Sequence, residues 1–234
     1  MRILIGGGLA VAAMASAGTA QAQHPMVLGK LQEINAQAPQ PPVEQLRQAV
    51  AQTAKAFGEA NKTCMPTQVA LSDATPATGS RDVLQAVLGG QLRNAWSLYA
   101  TYTGCPGSEP IRYLVVQKAD SSLMALQVNE GRTYTSPAIM RDTSMQAALA
   151  ALQKARTLSP DCEGKDMKMG PTRIAEQSKD LGPDVYGVRY VGTWSEVWRF
   201  ETCGRKFDVR VDFTPDGDGG AYTNIKGEAV AVVP

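Results

Sequence analysis

The chain has 234 residues, 44% of them apolar, with 23 lysines and arginines against 22 aspartates and glutamates. Interspersed charges of near-zero sum give no electrostatic reason to expect nucleic acid or an anionic membrane surface as partner. The single histidine, His24, stands near the N-terminus, which argues against a serine, histidine, aspartate triad.

Arg2 precedes a small and apolar run from Ile3 to Ala17, and Ala20, Gln21 and Ala22 give the small, any, small pattern read by signal peptidase. Residues 1–22 are therefore expected to be a cleavable signal peptide and the mature chain to be periplasmic or extracellular. Cleavage after Ala22 removes Arg2 alone among the charges and leaves 22 of each sign. No later run reaches the roughly 18 to 20 apolar residues of a membrane helix, so no membrane insertion of the mature chain is expected. Residues 23–41 are polar and alanine-rich and end in Pro39 and Pro41. They read as a mobile lead-in with a short helical piece near Leu28 to Ile34.

From residue 42 the chain repeats itself. Trp96, Ser97 and Cys105 recur as Trp194, Ser195 and Cys203 at an offset of 98, and the same offset relates Cys64 to Cys162 and Ser80, Arg81, Asp82, Val83 to Ser178, Lys179, Asp180, Leu181. Tryptophan and cysteine are rare, so their recurrence at one spacing predicts two tandem copies, 42–137 and 138–234. Four cysteines in an exported chain predict two disulfides. A two-cysteine ancestor would close its own bridge, giving Cys64 with Cys105 and Cys162 with Cys203; pairing between copies is the alternative. The spacing lacks a close pair of thiols, so no metal site is expected, and without a P-loop, dinucleotide fingerprint or haem-attachment motif no cofactor is expected.

Within the first copy, Val43, Leu46, Val50 and Phe57 predict an amphipathic helix over 42–61. Arg81 to Gly90 looks helical in isolation, whereas its counterpart carries Gly182 and Pro183. Ile111 to Val116 predicts a buried strand, and Leu123 to Val128 with Arg132 to Ser136 a hairpin. In the second copy the helix is expected to start near Asp142, Thr143 or Ser144, with Met145, Ala148, Leu149, Leu152 and Ala155 on one face. Val185 to Val191 alternates, Trp194, Trp198 and Phe200 share one parity, and Phe207, Val209, Val211 and Phe213 alternate with charges. A turn at 214–220 and a hairpin of Ala221 to Lys226 with Ala229 to Val233 complete it. The fold class is α+β, each repeat being one helix packed on an antiparallel meander of about four to six strands with one disulfide. This order of elements resembles cystatin-like helix-plus-meander modules.

Ser97 and Ser195, and Asp82 and Asp180, occur in both copies and are read as structural. Asp216, Gly217, Asp218 opens like a calcium loop, but the later ligands are missing, so it is read as a turn. Features of the second copy alone are free to specialise. Arg199 and Glu201 replace Thr101 and Thr103, and with Asp216 and Asp218 they are the candidate partner-binding residues. The function read from the sequence is a non-catalytic binding or envelope-associated protein whose partner is a protein or glycan of the cell envelope. An enzyme inhibitor or accessory subunit is the alternative, and a histidine-independent hydrolase a further one.

Overall fold

The computed structural model describes residues 25–105 and 109–233, so the signal peptide expected at 1–22 lies outside the described residues. The first half contains α1 (Pro25–Gln37), α2 (Val43–Asn61), β1 (Gln68–Leu71), β2 (Thr75–Pro76), α3 (Arg81–Leu88), β3 (Leu92–Thr103), β4 (Ile111–Lys118) and β5 (Leu123–Glu130). Its strands run antiparallel in the order β1, β3, β4, β5, with β2 also on β3. The second half contains α4 (Pro137–Leu158), β6 (Lys168–Gln177), β7 (Trp194–Thr202), β8 (Arg205–Pro215), β9 (Ala221–Asn224) and β10 (Val230–Val233). Here the order is β6, β7, β8, β10, with β9 also on β8. One disulfide closes within each half, Cys64 to Cys105 and Cys162 to Cys203. The result is an α+β fold of two repeat-like halves. The central ladders keep the same register: Trp96 faces Val115 and Trp194 faces Phe213, both pairs separated by the 98-residue offset.

The two cores fill the space between helix and sheet in opposite ways. In the first half α2 brings Leu46, Ala49 and Val50 onto Leu98, Ala100, Tyr113, Val115 and Ala125. In the second the helix contributes Ile139 and Met140 at its start and then only Ala147, Ala150, Ala151 and Ala155, and the sheet contributes Trp194, Trp198, Phe200, Phe207 and Phe213. Small residues let α4 settle close over large rings, which keeps the interior dense. Trp198 stands where the first half has Ala100, and Trp194 stacks on Phe213 with ring centroids 5.2 Å apart.

Several elements depart from the periodicity of the sequence. Residues 25–37 form a packed helix instead of a mobile lead-in, because Leu31, Ile34 and Ala38 share a buried face and Asn35 meets Asn94 at 2.9 Å. Helix α4 begins at Pro137, not near Asp142; Ser136 caps it by accepting from Ile139 N. Its buried stripe runs through Ile139, Met140, Thr143 and Ala147, leaving Met145 and Leu149 exposed. Val185 to Val191 is no strand, since Tyr186 and Gly187 take positive φ of 53° and 89° and Val185 and Val188 close a turn. The strand lies earlier, at β6. Arg132 to Ser136 does not pair with β5, and β9 and β10 do not pair with each other. Both of the latter join successive stretches of β8, because the 3-10 turn Gly227–Ala229 carries the chain onward along β8. Arg81–Leu88 is a helix with Val83 buried.

The halves meet edge to edge. Beyond β5, Gly131 bridges in parallel to Thr172 of β6, Arg132 N donates to Thr172 O at 2.9 Å, and Asn129 Nδ2 donates to Thr172 Oγ1 at 2.9 Å. Gly131 has φ +80°, and a Cβ there would lie 2.0 Å from Thr172 O. Gly131→Ala is therefore expected to cost more than the roughly 1 to 2 kcal/mol of left-handed strain alone. Gly90→Ala supplies the comparison, because Gly90 has φ +72° and open space around its Cβ position. Denaturant midpoints should fall further for the Gly131 variant; equal falls would mean that the junction yields freely.

Candidate functional site

Arg199 and Glu201 project from one face of β7, as alternate strand residues must. Each already has a cross-strand partner: Arg199 Nε lies 2.8 Å from Asp208 Oδ1, and Lys206 Nζ lies 3.7 Å from Glu201 Oε1. Burial pushes the Asp208 carboxyl up, but the bonds and charges of Arg199 and Arg173 outweigh it and hold the group below the usual carboxylate range. Asp216 closes its own turn, its Oδ1 accepting from Asp218 N at 2.8 Å and Gly220 N at 3.0 Å. Asp218 borders a shallow recess of about 290 Å³ beside Arg81 and Tyr190. Glu201 pairs with Lys206 at one end of β8 and Pro215 with Ala221 at the other. Strand geometry thus separates the Arg199 and Glu201 pair from the turn by roughly 25 to 30 Å. The structure does not bring these four residues into one surface.

The two repeated serines each hold an arginine. Ser97 Oγ accepts from Arg112 Nε at 2.8 Å, and Ser195 Oγ accepts from Arg210 Nη2 at 2.8 Å. Arg112 and Arg210 are themselves 98 residues apart, a match available in the sequence. Ser195 also donates to Asp212 Oδ1 at 2.7 Å, and Arg210 binds Glu176 Oε2 at 2.7 Å. Burial raises the Asp212 carboxyl, but Ser195 and Arg210 outweigh it and keep it low. The hydroxyl is engaged as donor and acceptor within a structural network. In the first half Arg112 is buried and donates to Thr135 O of the connection between the halves.

That connection docks on a residue with no counterpart in the first half. Position 98 is a core leucine, whereas Glu196 is 0% exposed beneath α4. Its Oε1 accepts from Tyr134 N (2.8 Å), Thr135 N (3.2 Å), Thr135 Oγ1 (2.8 Å) and Trp194 Nε1 (3.1 Å). Its Oε2 accepts from Thr133 Oγ1 (2.7 Å) and Trp198 Nε1 (2.8 Å). A carboxylate can leave water only when its lone pairs are filled in this way. The node is a fastening for 133–135.

The open space lies elsewhere. Helix α2 and strand β1 enclose a groove of about 760 Å³, walled by Arg47, Ala51 and Lys55 on one side and Met65 to Ala70 on the other. β1 is the outermost strand of its sheet. A smaller apolar recess of about 310 Å³ separates α3 from the start of α4, over Leu114, Met124 and Leu126. Among the described residues, no three or more His, Cys, Asp or Glu side chains gather as metal ligands would, and no helix is long and apolar enough to cross a membrane. Comparison with protein-family models, with curated proteins and with solved structures gives no match.

Proposed function

We propose that the chain is an exported protein of two duplicated α+β units, acting in the periplasm or outside the cell by binding a protein or glycan of the envelope without catalysis. The observation that carries this reading is the open groove beside an outermost strand, set against serines and carboxylates already engaged in structural networks. Pockets with a few well-placed polar groups are where ligands bind. Two disulfides suit an oxidising compartment, in keeping with a leader at 1–22. The shared ladder register at the 98-residue offset supports duplication. Within this reading the groove, more than the Arg199 and Glu201 face, is the contact surface, because charges paired across strands gain little from a new partner.

Expression of the full chain in a bacterium, followed by fractionation and thiol trapping, tests the export. The expected product begins at Gln23, lies in the periplasmic fraction and has no reactive thiol; an uncleaved, reduced cytoplasmic chain would overturn it. Titration of the purified mature chain against envelope glycans and envelope proteins tests the activity. Saturable binding with the ligand recovered unchanged supports the proposal, and turnover of the ligand sinks it.

A further inference from the structure

The outer edge of β1 has an equivalent in the second half, and there it is bridged at one residue. Leu71 lies opposite Ala100 and Thr172 opposite Trp198, and Ala100 and Trp198 are related by the 98-residue offset. Leu71 and Thr172 therefore hold the same place in their sheets. On its outer side Thr172 receives an extended piece of chain, through the parallel bridge to Gly131 and the Arg132 N–H at 2.9 Å. The first strand of this unit is thus an edge that accepts extended chain at this position, and among the described residues no strand pairs with the same edge of β1.

Ladder geometry identifies the groups on offer. Ser72 N donates to Tyr99 O at 2.9 Å, in register with the β1 and β3 pairing. Backbone groups alternate in direction along a strand, so those of Ala70 turn towards β3 and those of Val69 and Leu71 turn outward. A strand added there would lie along the α2 groove.

The charge of the groove selects the occupant. Its two charged lining residues, Arg47 and Lys55, are both basic. Their partners Glu44 and Glu59 lie on the same helix with exposed side chains, in the weakest class of ion pair. Eight residues of helix rise about 12 Å, close to the roughly 13 Å between residues i and i+4 of an extended chain, which present the same face. We propose that the β1 edge and the α2 groove bind an extended peptide segment bearing acidic side chains four residues apart, added as a new outermost strand. This rests on the binding reading above and names its ligand class. Pairing of β1 with β1 of a second copy would bring four basic side chains together, which like-charge repulsion opposes. β10, the other terminal strand, is Val-Ala-Val-Val and offers no carboxylate.

The test uses the mature chain with both disulfides closed and a fluorescein-labelled peptide, Val-Glu-Val-Thr-Val-Glu-Val, followed by anisotropy. Saturable binding is expected, with a loss of at least about tenfold in the Arg47→Glu, Lys55→Glu double variant and a similar loss in about 0.5 M salt. Arg47 is half-buried and Lys55 exposed, and the reversal puts like charges beside Glu44 and Glu59, so the variant should stay folded with a melting temperature only a few degrees lower. N-methylation of the peptide amides that face β1 should abolish binding, whereas methylation of the opposite set should leave it intact; this arm needs no change in the protein. Affinity indifferent to both the double variant and the methylation pattern would overturn the proposal. Absence of peptide binding in a chain that still binds an envelope component would overturn it and leave the binding reading standing; binding of neither would bring both down. A free chain that sediments as a dimer, and that peptide cannot convert to monomer, would make a second copy the occupant and refute the proposal.

Discussion

Glu196→Leu is expected to lose about 5 kcal/mol of folding stability, a large part of the roughly 5 to 15 kcal/mol that holds a domain of this kind together. Leucine is what the first half carries at the matching position 98, so the substitution is tolerable in volume. The loss comes from the donors. Two indole N–H groups, two threonine hydroxyls and two backbone amides converge on the carboxylate. Each donor left buried without a partner costs roughly 1 to 3 kcal/mol before relaxation. Glu196→Gln should fall between, because it keeps one acceptor oxygen but turns an NH₂ towards donors. Denaturant titration followed by tryptophan fluorescence measures this directly, since Trp194 and Trp198 are two of the donors. A Glu196→Leu protein within about 1 kcal/mol of the parent would show that the node contributes nothing net.

Removing the bridge of the second half, by Cys162→Ala with Cys203→Ala, is expected to cost about 4 kcal/mol from loop closure over 41 residues, and somewhat more from packing. The same closure applies to Cys64 and Cys105, also 41 residues apart. The packing differs, because Cys162 is 5% exposed and belongs to the aromatic core, whereas Cys64 is exposed. The turn between β7 and β8 has a hold besides the bridge: Asp166 accepts from Cys203 N at 3.0 Å and from Thr202 Oγ1 at 2.8 Å. Equilibrium unfolding of the two double variants should therefore rank the second-half variant as less stable. The reverse order would contradict the packing argument.

The parts of the fold legible in the sequence were those that depend on few residues with one main use. Tryptophan and cysteine at a fixed spacing led to the right disulfides and the matched halves, and strict alternation from Phe207 to Phe213 gave β8. Segments whose structure depends on distant partners carry a misleading local pattern. Arg132 to Ser136 has strand-forming residues, but only Arg132 N reaches a strand, at Thr172 O; the Tyr134 and Thr135 amides and the Thr133 and Thr135 hydroxyls go to Glu196, 61 to 63 positions later in the chain. A strand through Ser136 leaves no room for the Ser136 and Pro137 signal that starts α4. Glu196 itself left a trace, because it shares the parity of Trp194 and Trp198 and so had to be buried beside two indoles in need of acceptors. Helix α1 was obscured by its polar composition, although Leu31, Ile34 and Ala38 are spaced for one face. The groove had no signature at all, since it is made by the distance between α2 and β1.

The fastening of 133–135 has a consequence for how the chain can be divided. These residues belong to the first half by count and bond to both halves: Thr133 and Thr135 O meet Tyr99 and Arg112 of the first, whereas the two hydroxyls and two of the amides go to Glu196 of the second. A fragment that starts at Arg132 carries with it the ligands of its own buried carboxylate, whereas one that starts at the helix boundary, Pro137, leaves Glu196 facing two indoles with four of its six donors gone. The segment that repeats along the sequence and the segment that carries all the donors of Glu196 are therefore offset by several residues. Any gene split or domain graft should be placed at Gly131, where the two sheets touch, and not at the start of the helix.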